Sequence, residues 1–325
     1  MFVDVIGGFL GSGKTTTILH LLRERAMDPA KTVLLVNEFG KVGVDGALLE
    51  GEGGAVRELA SGCICCTLKA DFMLQIEDIA ATYAPEHVVV EPSGVASMRD
   101  VLQALTHPRV AHLISELRTV LVLDVDDYDW FVNMSETFVD AQIGLAQLIL
   151  LNKTDLAQPE AIAAVTADLE RRNPEAVIVP TTYGAFSWET VAPLLAPLPS
   201  ADGPTARLEG YESFSAEIPG LVDGSAMRAF FQAASEGRFG DVLRAKGVFD
   251  VGDGCVRLDL TSHRLHETPW SCGGSGRINL IGTGLDETAI LDALRGATGA
   301  AVAVVEVVEV GTVAGTAEAS GCHDD

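Results

Sequence analysis

The feature that most constrains this chain is Gly8-Phe9-Leu10-Gly11-Ser12-Gly13-Lys14-Thr15, a G-x-x-x-x-G-K-T stretch close to its start. The glycines Gly8, Gly11 and Gly13 let successive backbone N–H groups turn inward around a β-phosphate, with Ser12 and Thr16 in the same binding stretch. Lys14 then reaches the β- and γ-oxygens, and the Thr15 hydroxyl can ligate Mg²⁺. Such a loop needs a strand before it and a helix after it. Phe2 to Ile6 is a short apolar strand candidate, and Thr15 to Ala26 carries Ile18, Leu19, Leu21 and Leu22 at helical spacing. Phosphates would sit at a helix N-terminus, where unpaired N–H groups and the helix dipole favour anions. The ligand class that follows is a nucleoside triphosphate with Mg²⁺.

With 325 residues the chain has room for two domains, and 48% hydrophobic content fits a globular protein. No apolar run is long enough to span a bilayer. The start lacks the basic segment and cleavage site of a signal peptide, so a cytoplasmic location is expected. The net charge of −24, from 46 acidic and 22 basic residues, repels polyanions. Nucleic acid and anionic membrane surfaces are therefore excluded as partners, while cations and basic proteins are favoured. Of six cysteines, Cys63, Cys65 and Cys66 are clustered and Cys255, Cys272 and Cys322 are scattered. In a cytoplasmic setting that clustering points to thiolate chemistry rather than a disulfide framework.

Beyond the loop, apolar strands alternate with helical patterns. Strands are expected at Thr32 to Val36, His87 to Val90, Thr119 to Leu123, Leu148 to Leu151 and Ala176 to Val179. Their continuous Val/Leu/Ile runs suit an α/β fold, a parallel sheet covered by helices on both faces. Helices are expected at Asp71 to Thr82, Glu136 to Ala146, Pro159 to Arg172 and Ser187 to Leu195. Pro197 to Pro204 is rich in turn residues and reads as a linker. A smaller α+β domain follows, with strands near Tyr211 to Ala216, Gly247 to Val251, Cys255 to Leu260, Arg277 to Ile281 and Ala300 to Val310. Its helices are expected near Ser225 to Ala234 and Asp286 to Arg295. The predicted division is 1–198 for the nucleotide domain, 199–210 for the linker, 211–310 for the second domain and 311–325 for a flexible tail.

Asn152-Lys153-Thr154-Asp155 is an N-K-x-D tetrad at the carboxyl end of a strand. A carboxylate at Asp155 can accept both N1–H and N2–H of guanine, whereas adenine would leave it unpaired, so the tetrad favours GTP over ATP. Thr181 and Thr182, in the turn that follows the next strand, are candidates to complete the base pocket. His87 to Gly94 is an apolar strand closing in Glu91, with Gly94 three residues on. An acid there suits Mg²⁺ and water positioning, and a glycine N–H suits the γ-phosphate; capping of the next helix is the structural alternative for Glu91. Asn37 to Asp45 reads as a segment sensing the γ-phosphate, with Asp45 as an Mg²⁺ contact.

Cys63-Ile64-Cys65-Cys66 places three thiols in four positions, a spacing suited to Zn²⁺, Co²⁺ or Ni²⁺. Together these motifs resemble the CobW family of P-loop GTPases, relatives of the nickel-delivering urease and hydrogenase accessory GTPases. Leu243 to Gly247 and Ile281 to Leu285 are similar to that family's C-terminal domain. The resemblance implies slow GTP hydrolysis coupled to moving a metal ion or serving a metal cofactor, with conformational switching between nucleotide states. On this reading Lys14 and Thr15 hold phosphate and Mg²⁺, Asn152, Lys153 and Asp155 read guanine, and Cys63, Cys65 and Cys66 hold the transition metal. Lys14 stabilises phosphoryl charge, and Glu91 or a backbone group positions water. Homodimers across the nucleotide face are common in GTPases of this class.

The sequence also departs from the family. Many relatives carry acids next to the N-E-F-G segment, where this chain has Val36 and Lys41, and the His-rich tail of some relatives is absent. A carboxylate lost and an ammonium gained weaken a divalent site beside the thiols. Three readings stay open: a metallochaperone or insertase, a GTPase that loads or activates a corrinoid-dependent protein, and a nucleotide-switched regulatory binding module. A kinase is disfavoured, because the tetrad would have no role. Cys255, His263, His266 and Cys272 are candidates for a second site, although their spacing matches no standard zinc pattern.

Overall fold

The computed structural model describes residues 1–9, 11–25, 27–36, 55–58, 68–92, 97–203, 205–206, 210–261, 264–270, 276–298 and 302–310. Seven strands form one parallel sheet: β1 (Phe2–Gly8), β2 (Thr32–Val36), β3 (Ala55–Glu58), β4 (His87–Glu91), β5 (Glu116–Asp124), β6 (Leu148–Asn152) and β7 (Val177–Pro180). Their order is β3-β2-β4-β1-β5-β6-β7, which puts β1 and its phosphate loop between β4 and β5. The connecting helices are α1 (Lys14–Glu24), α2 (Leu68–Tyr83), α3 (Met98–Leu105), α4 (Pro108–Ala111), α5 (Tyr128–Met134), α6 (Glu136–Ile143), α7 (Pro159–Arg172) and α8 (Trp188–Val191).

Period-2 alternation sends consecutive strand residues into two separate cores. Val3, Val5, Val88, Val90, Leu121 and Leu123 pack with Phe72, Ile76, Val101, Phe138 and Leu169 from the helices of one face. Ile6, Leu34, Val89, Val122 and Leu150 pack with Ile18 and Leu21 of α1 and Val191 of α8 on the other. Each fully buried side chain of this kind contributes about 1.5–3 kcal/mol, which is why both faces must be covered. One charge interrupts β1. Asp4 is fully buried and is neutralised by Arg25 at 2.5 Å and Arg118 at 3.4 Å. Both guanidinium groups lie over the Trp188 ring, so an α8 aromatic covers the pair.

The second part is an antiparallel sheet of β8 (Tyr211–Ile218), β9 (Asp241–Asp250), β10 (Cys255–Thr261), β11 (Arg264–Trp270), β12 (Gly276–Thr283) and β13 (Ala303–Val310), in the order β11-β10-β9-β12-β8-β13. Helices α9 (Gly224–Ser235) and α10 (Glu287–Thr298) cover one face, where Phe214, Phe231, Phe249, Leu258, Leu280 and Ile290 form the core. Asp223 caps α9 by accepting from the amides of Ser225 and Ala226. The opposite face carries polar groups beside the apolar Leu243 and Ile281. Asn279 there donates to Ser213 at 3.1 Å and Ser215 at 2.9 Å, and Arg257 pairs with Asp259 at 2.8 Å.

Several expectations shift. Strand β3, helices α3, α4 and α5, and strand β11 were not anticipated, and β9 begins at Asp241 rather than near Gly247. The expected linker is anchored in part: Gln103 donates to the Ala201 carbonyl, Arg99 donates to that of Asp202, and Thr205 donates to Asp100. No helix among the described residues is long and apolar enough to cross a membrane.

Candidate nucleotide-binding site

Every predicted nucleotide contact among the described residues lies at or just beyond the carboxyl end of a parallel strand, where open α/β sheets bind ligands. β1 leads into the phosphate loop and β4 ends at Glu91. β6 ends at Asn152, and β7 is followed directly by Thr181. The loop is held by its own polar groups. Ser12 Oγ donates to the Phe9 carbonyl at 2.9 Å, and Lys14 Nζ donates to the same oxygen at 3.1 Å. Lys14 is buried, so its ammonium is held over the loop rather than in solvent. Gly13 has φ +104°, and a Cβ there would stand 2.4 Å from Asn152 Nδ2, so only glycine lets the base tetrad approach.

Thr15 Oγ1 donates to both Glu91 carboxylate oxygens, at 3.4 and 3.3 Å. Glu91 is 5% exposed and sits six residues before Ser97, the N-cap of α3, so it does not cap that helix. A hydroxyl and a carboxylate side by side at the start of α1 are hard oxygen donors, the set that Mg²⁺ prefers. The residues present therefore fit the ion.

Asn152 is the hub of the candidate base pocket. Its Nδ2 donates to the Ser12 carbonyl at 2.8 Å, and its Oδ1 accepts from Thr181 Oγ1 at 3.2 Å and the Gly184 amide at 2.9 Å. Thr154 donates through its amide and its hydroxyl to the Thr181 carbonyl, and its hydroxyl lies 3.2 Å from that of Thr182. Lys153 adopts φ +61° and pairs with Asp124 at 2.6 Å. Asp155 is exposed, its carboxylate open to a ligand. Thr16 is exposed on the first turn of α1.

Sequence reasoning missed Asp124 and Gly184. Asp124 had the same signature as Glu91, an acid closing an apolar strand. Gly184 offers only a glycine at the end of a turn, and its amide bond to Asn152 depends on tertiary convergence.

Asp45, Gly94, Cys63, Cys65, Cys66 and Lys41 lie outside the described residues. So do His263 and Cys272 of the candidate second site. Cys255 is disulfide-bonded, so it brings no thiolate to the candidate second site. Among the described residues no group of three or more His, Cys, Asp or Glu could hold a metal ion.

The second sheet reaches this site. At Gly11 a Cβ would stand 2.6 Å from Thr261 Cγ2. Arg264 pairs with Asp126 at 3.1 Å, and Leu243 and Ile281 share an apolar cluster with Val125 and Tyr128.

Known proteins show the same two-part pattern. Residues 2–180 match the family described as CobW/HypB/UreG, nucleotide-binding domain, and residues 211–298 match the cobalamin synthesis protein cobW C-terminal domain. The zinc chaperone YeiR of Escherichia coli (strain K12) is 30% identical over 321 residues, covering 90% of this chain and 96% of its own length. The zinc chaperone CobW of Sinorhizobium sp is 28% identical over 343 residues, covering 89% and 95%. Among solved structures, the Zn(II)-bound YjiA GTPase from E. coli superposes with a TM-score of 0.45 and 21% identity, over 91% of this chain and 98% of that one.

Proposed function

The chain belongs to the CobW/HypB/UreG family of P-loop GTPases, and from that premise we propose that it couples GTP hydrolysis to handing a transition metal, zinc foremost, to a client protein. The chain is a GTPase. The observation that carries the reading is the convergence of phosphate loop, Thr15–Glu91 pair and base tetrad on one edge of the sheet, with Asn152 bonded to both the loop and the Thr181–Gly184 turn.

In this reading the loop amides and Lys14 hold the phosphates, and Lys14 offsets charge on the transferring group. Thr15, Glu91 and Asp45 hold Mg²⁺, which when bound neutralises phosphate oxygens. Glu91 also positions water, and Asn152, Lys153 and Asp155 select guanine. Gly94 serves the γ-phosphate. Cys63, Cys65 and Cys66, between the two presumed switch segments, take the metal as cargo. Relatives named as zinc chaperones support zinc as that cargo. Action in the cytoplasm and pairing of two copies across the nucleotide face belong to the same proposal.

The test is Zn²⁺ affinity measured with a non-hydrolysable GTP analogue and with GDP. The expected difference is about tenfold, a coupling of about 1.4 kcal/mol. Equal affinities overturn the coupling, since a ligand without differential affinity shifts no equilibrium.

A second reading, a GTPase serving a corrinoid-dependent client, draws on Val36 and Lys41, which stand where many relatives carry acids. Corrinoid-protein capture by the GTP-loaded chain supports it. Stoichiometric Zn²⁺ binding with no corrinoid effect opposes it.

A further inference from the structure

Three non-glycine residues among those described have positive φ: Ala84 at 41°, Lys153 at 61° and Tyr183 at 55°. Ala84 directly follows α2, where a left-handed residue is a common helix ending. The other two belong to the base pocket, bridged by the bonds from Thr154 to Thr181 and Thr182. For an aromatic residue this conformation is costly, and it persists only where the surroundings impose it.

Here the surroundings do impose it. On one side of Tyr183, the Thr182 hydroxyl lies 3.2 Å from that of Thr154; on the other, the Gly184 amide donates to Asn152 at 2.9 Å. A Cβ at Gly184 would stand 2.2 Å from Thr17 Oγ1, so the turn is pressed against α1 directly after the phosphate loop. Yet the fold covers little of Tyr183. It is 73% exposed and takes part in no hydrogen bond, ion pair or ring contact among the described residues. A strained backbone thus presents a bare aromatic ring at the rim of the pocket, beside a tetrad whose Asp155 is also open.

We propose that Tyr183 is a binding residue of the nucleotide site, stacking its ring on the face of the guanine base read by Asp155. This rests on the GTP reading of the tetrad. A purine and a tyrosine ring both remove apolar surface from water when they stack, with no demand on the phosphates. The left-handed backbone sets the direction of the Tyr183 Cα–Cβ bond before the ligand arrives, so less backbone ordering is required on binding. Stacking uses the ring and not the hydroxyl. The contribution is therefore equal for GTP and GDP, and phenylalanine can supply it.

Calorimetric titration with GDP and GTP, combined with thermal unfolding of the nucleotide-free chain, tests this. Tyr183→Gly is expected to bind both nucleotides about tenfold more weakly. The same variant melts higher without nucleotide, because glycine adopts φ +55° without strain. Tyr183→Phe restores wild-type affinity. Unchanged GDP affinity in Tyr183→Gly overturns the proposal and leaves the exposed ring as a protein contact. A joint fall of affinity and nucleotide-free melting temperature also overturns it, since that is the mark of a structural residue. The underlying reading fails separately: if Asp155→Asn keeps the wild-type preference for GDP over ADP, the tetrad does not read guanine.

Discussion

Asn152 Nδ2 donates to the Ser12 carbonyl at 2.8 Å, so the residue that opens the base tetrad also holds the backbone of the phosphate loop. Its Oδ1 is shared by Thr181 and Gly184, and the side chain is buried. Asn152→Ala leaves all three partners unsatisfied. At about 1–3 kcal/mol for each buried group, reduced by loop relaxation, the expected loss of stability is about 3 kcal/mol. Urea unfolding measures that loss, and GDP affinity falls more than tenfold alongside it. Full affinity in the variant would show that loop and tetrad are positioned independently.

The contact between Thr261 and Gly11 brings the second sheet to the phosphate loop. A Cβ at Gly11 would meet Thr261 Cγ2 at 2.6 Å, and Gly11 has φ +78°. Gly11→Ala therefore carries two penalties, strain and clash. Thr261→Ala removes the two nearest clashing atoms, Cγ2 and Oγ1, so the double variant is less destabilised than the sum of the single ones by about 1 kcal/mol in a double-mutant cycle. The nearby Arg264–Asp126 pair has an arginine 49% exposed, and Arg264→Ala is expected to change stability by only about 0.5 kcal/mol. Steric fit and the Leu243–Ile281 apolar contact, rather than this ion pair, are expected to hold the junction.

The sheet was legible because its chemistry is contiguous. The runs at Val88 to Glu91 and Leu148 to Asn152 are wholly apolar until their last residue, and that last residue is the candidate site residue. Elements without such a run were missed. β3 has only four residues, and β11 alternates weakly, is largely exposed and contains Pro269, as an edge strand can. Its His266 looked like a ligand candidate but sits in register with Asp259 on β10. Asp124 carried the same acid-after-apolar-run signature as Glu91, whereas Tyr183 was illegible as a candidate site residue because its meaning depends on its backbone strain and the turn around it. The Leu243 to Gly247 motif acquires a local role only in three dimensions, where Arg244 and Lys246 flank Asp259.

Asp259 predicts how stability responds to acid. Burial pushes its carboxyl up, but Arg244, Lys246 and Arg257 together outweigh that and hold it well below the usual carboxylate range. A folded-state value below the unfolded one gives stability that is fully present above about pH 4 and is lost as pH falls toward the folded value. Asp259→Asn is expected to cost about 2 kcal/mol at pH 7, because it removes the carboxylate to which Arg257 donates and which offsets Arg244 and Lys246. Urea midpoints of wild type and variant should differ by a constant amount at neutral pH and converge below about pH 4. A gap that widens on acidification would reverse the assigned sign.

Glu91 tests how the site divides work between metal and water. Its carboxylate lies 3.3 and 3.4 Å from the Thr15 hydroxyl, so both groups address one point at the start of α1. Glu91→Gln keeps the shape but removes a charged oxygen donor, which weakens a hard cation more than it weakens a nucleotide. Without Mg²⁺, GDP affinity is expected to hold or rise slightly, because a negative charge near the phosphates has gone. Single-turnover GTP hydrolysis should slow roughly a hundredfold, with the Mg²⁺ titration shifted to higher concentration. A slower reaction with an unshifted Mg²⁺ midpoint assigns Glu91 to the attacking water alone. An unslowed reaction removes it from the chemistry and returns the Thr15–Glu91 pair to a purely structural tie between α1 and β4.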